Sequence, residues 1–135
     1  MSLETDSLKC INSEWHMPER KIMKEINVFI RPEKLEIMKH IIVDEYKCGG
    51  MTVINAMGCG NQKGFGVEMT GMKTNVNLLP KLKIEVYVED GEVENIVNTI
   101  CERIATGVVG DGKIIVKNVE DVIRVRTGEH GNSAV

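Results

Sequence analysis

One segment of the sequence, Val93 to Ile104, places the strongest constraint on the fold. Its apolar residues recur at spacings of three and four, which puts them on one face of an α-helix; they are Val93, Ile96, Val97, Ile100, Cys101 and Ile104. Burying such a stripe contributes on the order of 10 kcal/mol before the entropy of ordering is subtracted. The pattern therefore predicts a helix, opened by Asp90-Gly91-Glu92 and ended by Thr106-Gly107, that packs on a sheet.

Strand patterns lie on both sides of this helix. Between Lys83 and Glu89, the residues Ile84, Val86 and Val88 alternate with polar residues, which indicates a strand with one buried face. Short apolar runs predict the other strands, at residues 26–30, 51–57, 114–116 and 122–125.

A second helix is predicted after the first strand, from about Glu33 to Tyr46. Pro32 suits its first turn, because the N–H that proline lacks would have had no partner there. The sequence Lys47-Cys48-Gly49-Gly50 follows, and its glycines are expected to supply the positive-φ positions of the helix exit.

The order strand, helix, strand, then strand, helix, strand predicts an α+β fold, the ferredoxin-like double βαβ sandwich. Such a sheet has four antiparallel strands with both helices on one face, and its other face would carry Val28, Ile30 or their neighbours. Because the strand at residues 26–30 is apolar on both sides, we expect other subunits to cover that face. The sequence thus predicts an oligomer.

Length and composition bound the remaining possibilities. At roughly 150 residues per domain, 135 residues predict one domain, here residues 23–135, after a flexible extension over residues 1–22. The alternative for the extension is a short helix that docks Trp15. A net charge of -3 gives no general attraction to nucleic acid or anionic lipid. With neither a signal-peptide layout nor an apolar stretch of roughly 20 residues, we expect a cytoplasmic protein without membrane insertion.

The cysteines and histidines do not predict a metal centre or a catalytic triad. The four cysteines lack the paired spacing of a structural zinc site, so free thiols are expected, with Cys101 as a small core residue. His16, His40 and His130 are scattered singly and are interpreted as surface residues.

Two glycine-rich stretches resemble phosphate-binding motifs imperfectly. Residues 107–113 fit GxxxxGK, but Ile114 replaces the Ser or Thr that holds magnesium, and the loop runs from helix to strand. Its glycines could still bring N–H groups near an anion beside Lys113, although for this segment alone a plain helix exit and turn is the preferred explanation. Residues 58–64 read GxGxxxG, one residue longer than the dinucleotide fingerprint, with no helix pattern after them.

Arg124 and Arg126 are two residues apart and are expected to share one face of the strand at 122–125. Two guanidinium groups on one face repel each other unless an anion or carboxylates lie between them. A solvated edge is the usual explanation of such a pair. Beside two glycine-rich turns and Lys113, a clamp for a polyphosphate is the preferred interpretation.

The stretch from Asn61 to Lys81 has no regular pattern over about 20 residues, and loops longer than roughly 15 residues are usually functional or disordered. It contains Phe65, Met69 and Met72, large apolar side chains that suit a protein-binding element able to repack. The alternative is that these side chains fold back onto the body of the domain.

Taken in order, these segments resemble the PII signal-transduction proteins of nitrogen metabolism over residues 23–135. The resemblance rests on several motifs in the right order and spacing: Gly50-Met51-Thr52-Val53, Gly58-Cys59-Gly60-Asn61-Gln62-Lys63-Gly64, Leu79-Pro80-Lys81-Leu82-Lys83-Ile84-Glu85, Thr106-Gly107, Gly110-Asp111-Gly112-Lys113-Ile114 and Arg124-Val125-Arg126-Thr127-Gly128-Glu129.

The resemblance implies a homotrimer that holds ATP or ADP in each cleft between subunits. It assigns the adenine and phosphate side to Thr52, Gly58 and Gly60, with Glu85 near the ribose or base. It assigns the phosphate-cradling turn to Gly110, Gly112 and Lys113, and the clamp from the adjacent subunit to Arg124 and Arg126. Gln62 matches the residue that binds Mg²⁺ together with 2-oxoglutarate, and the remaining 2-oxoglutarate contacts match Lys63, Gly64 and Lys81.

The long loop, about residues 61–81, matches the T-loop of this family, which docks on targets such as an ammonium channel, a regulator or an enzyme of nitrogen metabolism. This chain departs from the family there, since no tyrosine lies in the loop and Thr74 stands at the position of the usual modified tyrosine. Asn61 replaces an arginine, which removes one phosphate contact. Met72 and Val108 also differ from common residues, so a divergent member is indicated.

The leading hypothesis is therefore a regulatory ligand-binding protein without enzymatic activity. A nucleotide-hydrolysing enzyme is the first alternative, although no carboxylate other than Glu85 is a candidate general base near the glycine turns. The second alternative is a trimeric scaffold of the same fold that does not sense nucleotides.

Overall fold

The computed structural model describes residues 22–59 and 78–135, which form a four-stranded antiparallel sheet with helices on one face. The strands follow the order β2-β3-β1-β4. Their bounds are Met23–Ile30 for β1, Thr52–Gly58 for β2, Leu79–Glu89 for β3 and Lys113–Val119 for β4. The helices are α1, a helical segment over residues 32–45, and α2, Val93–Ile104. This arrangement confirms the predicted ferredoxin-like fold.

The hydrophobic core lies between the sheet and the two helices. The central strand β1 aligns Ile26 with Val86 of β3 and with Val116 of β4. The predicted inward residues of β3, Ile84, Val86 and Val88, are all buried. With few aromatic residues in the chain, the core consists mainly of isoleucine, valine, leucine and methionine side chains.

The segment α1 differs from a regular α-helix. It combines a 3₁₀ turn at Pro32–Lys34, an α-helical turn at Leu35–Lys39 and a π-helical turn at His40–Glu45. At its exit, Lys47 has the positive φ of 50°, whereas Gly49 and Gly50 do not, so the predicted role of these glycines is wrong. Gly49 instead allows a close approach, because a Cβ atom there would lie 2.3 Å from the backbone carbonyl carbon of Val135.

One apolar residue of the predicted patterns occupies an unexpected place. The prediction that Cys101 lies in the core is wrong, because it is exposed and lines an open groove beside β4, whereas Ile96, Ile100 and Ile104 of α2 are buried.

The open face of the sheet carries the neighbours of Val28 and Ile30, which is one of the two alternatives that the sequence left open. Val28 and Ile30 point toward the helices and are buried, so the open face carries the alternate residues of β1, Glu25, Asn27 and Phe29. Asn27 is 1% exposed, and its side chain donates to the Glu25 carboxylate at 3.0 Å. The open side of β1 is therefore less apolar than the sequence suggested, because the hydrogen-bonded amide of Asn27 lies there.

Residues 121–130, here called the arginine turn, do not form the strand predicted at 122–125. Ile123 makes an isolated bridge with His130, and the chain reverses between them. The N–H of Gly128 donates to the carbonyl of Arg124 at 2.8 Å, and the N–H of Arg124 donates to the carbonyl of Glu129 at 2.9 Å. The apolar run was misread because Gly128, with a φ of 71°, permits a reversal that a strand would not.

The residues expected to form the extension and most of the long loop, 1–21 and 60–77, lie outside the described residues. The end predicted for the loop is wrong, because Leu79, Pro80 and Lys81 already belong to β3 and pair with Gly58, Met57 and Ala56 of β2. None of the helices described at residues 22–59 and 78–135 is long and apolar enough to cross a membrane.

Candidate functional site

The segment between α2 and β4, residues 105–112 and here called the glycine loop, is held in place by Arg31. This arginine directly follows β1, and its guanidinium donates to Asp111 Oδ1 at 2.7 Å, to Thr106 Oγ1 at 3.1 Å and to the carbonyl of Val109 at 2.8 Å. Because one planar guanidinium contacts both ends and the tip of the loop, its shape depends on a residue 80 positions away in the chain.

Asp111 organises the same loop from within. Its carboxylate accepts hydrogen bonds from the Thr106 hydroxyl at 2.5 Å and from the backbone N–H groups of Thr106 and Gly107 at 2.8 and 2.9 Å. The hydrogen bond from the Thr106 side chain is the main cause that lowers the pKa of Asp111 from 3.8 to about 2, with the backbone N–H groups and Arg31 adding to it against partial desolvation. The carboxylate is therefore ionised wherever the loop keeps this shape.

Two glycines of the loop are required by the backbone. Gly110 and Gly112 have φ values of 101° and 104°, and a Cβ atom at Gly112 would lie 1.6 Å from the carbonyl oxygen of Phe29. Within the described residues, the N–H groups of Gly110 and Gly112 donate to no acceptor. The loop thus presents these two N–H groups beside the exposed Lys113, which is the arrangement from which an anion site was predicted.

Lys81 links β3 to the glycine loop. Its ammonium group donates to the carbonyl of Gly110 at 2.5 Å, and a Cβ atom at Gly58 would lie 3.2 Å from its Cγ atom. The structure therefore brings together five of the predicted site residues at one end of the sheet. We call this set the loop end; it comprises Gly58, Lys81, Gly110, Gly112 and Lys113.

A second group lies toward the other end of the sheet. Thr52 pairs with Glu85 across β2 and β3, and both line a cavity of about 250 Å³. The other residues that line this cavity are Gly49 to Met51, Tyr87, Val122, Ala134 and Val135. Val122 belongs to the arginine turn, so the segment that carries Arg124 and Arg126 begins beside this cavity.

Arg124 and Arg126 lie on the tight turn rather than on a strand. Arg124 is half-buried and approaches Glu129 at 3.5 Å. Arg126 is exposed, and the described part of the chain places no carboxylate within 4.0 Å of its guanidinium. Among the described residues, Arg126 is thus a cation without a carboxylate partner at this end of the molecule, as Lys113 is at the other.

One chain does not bring the two groups together. Thr52 and Gly58 are the first and last residues of β2, so roughly 20 Å of extended strand separate them. Lys113 and Val119 bound β4 in the same way, and the arginine turn follows Val119. The remaining predicted site residues, Gly60, Gln62, Lys63 and Gly64, lie outside the described residues. A nucleotide held by both groups would have to lie between two copies of the chain.

The sequence reasoning missed the residues that shape the glycine loop, Arg31, Thr106 and Asp111. A signal was present, because Asp and Thr side chains commonly cap backbone N–H groups in turns and at helix ends. The partner of Asp111 had no such signal, since Arg31 is distant in the chain.

Within residues 22–59 and 78–135, no group of three or more His, Cys, Asp or Glu side chains is placed to hold a metal ion.

Acid is expected to loosen the glycine loop through Asp111. Because the pKa of this carboxyl falls from 3.8 to about 2 on folding, its contribution to stability is complete above pH 3.8 and is lost as the pH falls through about 2. We expect the free energy of unfolding to depend less steeply on pH between 4 and 2 in Asp111→Asn than in the unchanged protein. Urea unfolding at several pH values measures this, and identical pH dependence in both proteins would contradict it.

The family model and the similar proteins found by comparison all carry the same family description. Residues 23–129 match the family described as Nitrogen regulatory protein P-II. The chain is 46% identical to Nitrogen regulatory protein P-II 2 of Methanothermobacter thermautotrophicus, over 84% of this chain and 97% of that protein. It is 44% identical to Nitrogen regulatory protein P-II of Azospirillum brasilense, over 84% of this chain and all of that protein.

Among solved structures, the fold is similar to that of the B. subtilis GlnK–ATP complex. The TM-score is 0.70 and the sequence identity is 32%, over 84% of this chain and 96% of the other. The match extends over nearly the whole of the other chain, so the similarity concerns the complete fold and not one motif.

Proposed function

The chain belongs to the family of nitrogen regulatory P-II proteins, and on this premise we propose that it is a sensor without enzymatic activity. Under this proposal it binds ATP or ADP, together with Mg²⁺ and 2-oxoglutarate, in clefts between the subunits of a homotrimer. The bound ligands then control how the segment between Gly58 of β2 and Leu79 of β3, which matches the T-loop, contacts target proteins.

The two separated groups of site residues carry the proposal. The loop end offers two N–H groups and Lys113 to an anion, and the arginine turn offers Arg126. A polyphosphate needs several such donors close together, and one chain keeps them at opposite ends of its sheet. Joining the loop end of one subunit to the arginine turn of the next would complete the site. Binding of ATP by the structurally similar GlnK supports this reading.

A closed ring is the assembly that we propose. Each subunit would use its loop end against one neighbour and its arginine turn against the other, and such head-to-tail contacts form a ring when the rotation between neighbours closes. We propose three subunits for that ring, as the family resemblance implies. The open sheet face, with the exposed side chains Ile54 and Ile115, is the surface that we expect the neighbouring subunits to cover.

The proposed 2-oxoglutarate site adjoins the phosphate site through Lys81. In the structure, the ammonium group of Lys81 donates a hydrogen bond to the carbonyl of Gly110. A ligand carboxylate would offer Lys81 a charged acceptor in place of this neutral one, and charge-assisted hydrogen bonds are the stronger kind. The dicarboxylate and the polyphosphate would repel each other, and Mg²⁺ held with Gln62 would offset that repulsion. ATP and 2-oxoglutarate are metabolites of the cytoplasm, so we propose that location as well.

The proposed regulation acts on proteins and not on nucleic acid. A ligand can shift the population of two loop conformations only by the difference between its affinities for them. We propose that ATP with 2-oxoglutarate favours one conformation of the loop, which then binds or releases a target. An ammonium channel, a regulator or an enzyme of nitrogen metabolism is the kind of target that the resemblance implies.

The hydrolase alternative would need a general base near the phosphates. Glu85 was the sequence candidate, and its carboxylate is paired with the Lys83 ammonium group at 3.0 Å. The carboxylate is thus already held by a neighbouring lysine, and this contact disfavours its use as a general base. Steady phosphate release at enzyme-like rates would favour hydrolysis, and no nucleotide binding at millimolar concentration would favour the scaffold.

Calorimetry tests the proposal and the role of Lys81 together. Titration of the protein with Mg-ATP should show tighter binding when 2-oxoglutarate is present, by about 5- to 100-fold. In Lys81→Ala, we expect Mg-ATP alone to bind within a few-fold of the unchanged protein, because Lys113 and the arginine turn remain. The gain from 2-oxoglutarate should disappear, because its distal carboxylate loses its cation.

Each result that contradicts the proposal has a distinct meaning. Absence of Mg-ATP binding by the unchanged protein would overturn the sensor function itself. Normal coupling in Lys81→Ala would leave that function standing and refute the assignment of Lys81. Light scattering on the same samples should report three subunits, and a monomer would contradict the site between subunits.

A further inference from the structure

The arginine turn is closed at its base by a pair of buried side chains, Asp121 and His130. The Nδ1 atom of His130 lies 2.5 Å from Asp121 Oδ2, and the two side chains are 11% and 1% exposed. Because an ionised carboxylate offers only acceptors, Nδ1 is the nitrogen that carries the hydrogen in this contact. The sequence interpretation of His130 as a surface residue is therefore wrong.

Backbone hydrogen bonds connect this pair to the rest of the turn. Asp121 Oδ1 accepts from the N–H of Val122 at 2.9 Å, and the carbonyl of Val122 accepts from the N–H of Gly131 at 2.8 Å. The two chain segments thus meet at their base through side chains and backbone alike. Beyond the base, the turn projects outward until Val125 is 92% exposed at its tip.

The cations of the turn depend on that base for their position. Arg124 and Arg126 follow Asp121 by three and five residues and precede His130 by six and four, on a turn that has few buried side chains of its own. The same base holds Val122 against the cavity that Thr52 and Glu85 line, and it leads through Gly131 to Ala134 and Val135, which line that cavity too. The Asp121–His130 pair therefore connects the two parts of this half of the site, which are the arginines of the turn and the cavity that Thr52 and Glu85 line.

We propose that Asp121 and His130 form a positioning clasp that aims Arg124 and Arg126 at the phosphates of the bound nucleotide. The proposal rests on the proposed function, since the arginines are assigned to the nucleotide there. Neither member of the clasp touches the ligand. Loss of His130 removes one of the hydrogen bonds that hold this nearly buried carboxylate, and the side-chain contact that closes the base of the turn is lost with it.

The test compares phosphate-rich and phosphate-poor nucleotides on three variants. His130→Leu removes the hydrogen bond, whereas His130→Asn keeps an N–H donor near the position of Nδ1. Asp121→Asn keeps the size of Asp121 and removes its charge. Calorimetry with ATP and with AMP measures affinity, and thermal unfolding measures stability. We expect His130→Leu to weaken ATP binding about tenfold and AMP binding less, with much of the loss recovered in His130→Asn.

A matched control separates positioning from general destabilisation. Arg103 forms two hydrogen bonds with Glu45 between α2 and the end of α1, at 2.5 and 2.9 Å, away from both halves of the site. Arg103→Leu should lower the unfolding temperature without changing either affinity. If His130→Leu behaves like this control, the clasp is refuted.

Two further results also decide the proposal. An equal loss of ATP and AMP affinity in His130→Leu would mean that the whole cavity collapses, which refutes selective aiming of the arginines. If His130→Leu does not fold, Asp121→Asn takes its place, and unchanged affinity for ATP in that variant would refute the clasp. Failure of the unchanged protein to bind ATP would instead refute the proposed function, so the two failures are distinguishable.

Discussion

Replacing Gly112 by alanine is expected to abolish measurable nucleotide binding and to destabilise the domain. The new Cβ atom would lie 1.6 Å from the carbonyl oxygen of Phe29, inside the sheet, and the φ of 104° is one that alanine rarely adopts. The glycine loop and the start of β4 would have to move together. We expect at least a 100-fold loss of ATP affinity and about 2–4 kcal/mol less stability. Calorimetry and urea unfolding measure the two effects.

Gly91→Ala is the matched control for this substitution. Gly91 has no atoms within 4 Å of its Cβ position and does not have a positive φ. It lies in the turn before α2, outside both groups of site residues. Alanine there should leave ATP binding unchanged and stability within a few tenths of a kcal/mol, or slightly higher. Normal ATP binding by Gly112→Ala would show that the glycine loop does not hold the nucleotide.

Two variants that each damage one half of the site are expected to lose ATP binding alone and to regain part of it when mixed. Lys113→Ala removes the cation of the loop end, and Arg126→Ala removes the free cation of the arginine turn. Each loss should weaken ATP binding about 10- to 100-fold, the range for a charge-assisted hydrogen bond. In every mixed trimer, one cleft would combine an intact loop end with an intact arginine turn.

The mixing experiment has a quantitative outcome. If the two chains are unfolded together in equal amounts and refolded, random assembly into trimers restores about one site in four. Calorimetry should then report high-affinity binding at that stoichiometry. As a control, Lys113→Ala mixed with the double variant Lys113→Ala/Arg126→Ala should restore none, because no intact loop end is present. Absence of recovery in the first mixture would contradict a site shared between subunits.

Local patterns explain how much of the fold could be predicted. The stripe of α2 and the alternation of β3 depend on spacings of three to four and of two, which the backbone geometry imposes on any chain. The apolar residues at those spacings, such as Ile96, Ile100 and Ile84, are buried as predicted. The order of these elements was enough to predict the ferredoxin-like sheet, because connections between them are short and follow few topologies.

The same local reasoning failed where a distant contact decided the conformation. The apolar run at residues 122–125 has a strand composition, but Asp121 meets His130 and the chain reverses. Gly49 was read as a helix-exit residue with positive φ. Lys47 has the positive φ instead, and Gly49 is small because the backbone of Val135 passes against it. Neither contact follows from a periodicity, because a chain reversal has no regular spacing and Val135 is far from Gly49 in the chain.

For the candidate site, the sequence provided the residue types and the family resemblance provided their expected roles. Which of these residues lie close together is decided by their positions in the folded sheet. The motifs do not say that Lys81 meets Gly110, or that Thr52 and Gly58 stand at opposite ends of one strand. That separation is the reason for proposing a site between subunits.

The amino-acid sequence by itself determined the elements, the buried faces and the family, because periodicity and motif spacing are properties of neighbouring residues. Tertiary structure alone decided that Arg31 shapes the glycine loop and that Asp121 and His130 close the arginine turn. The physical reason is that a hydrogen bond forms between groups that are close in space. Which distant groups become close is set by how the whole sheet brings its strands into register.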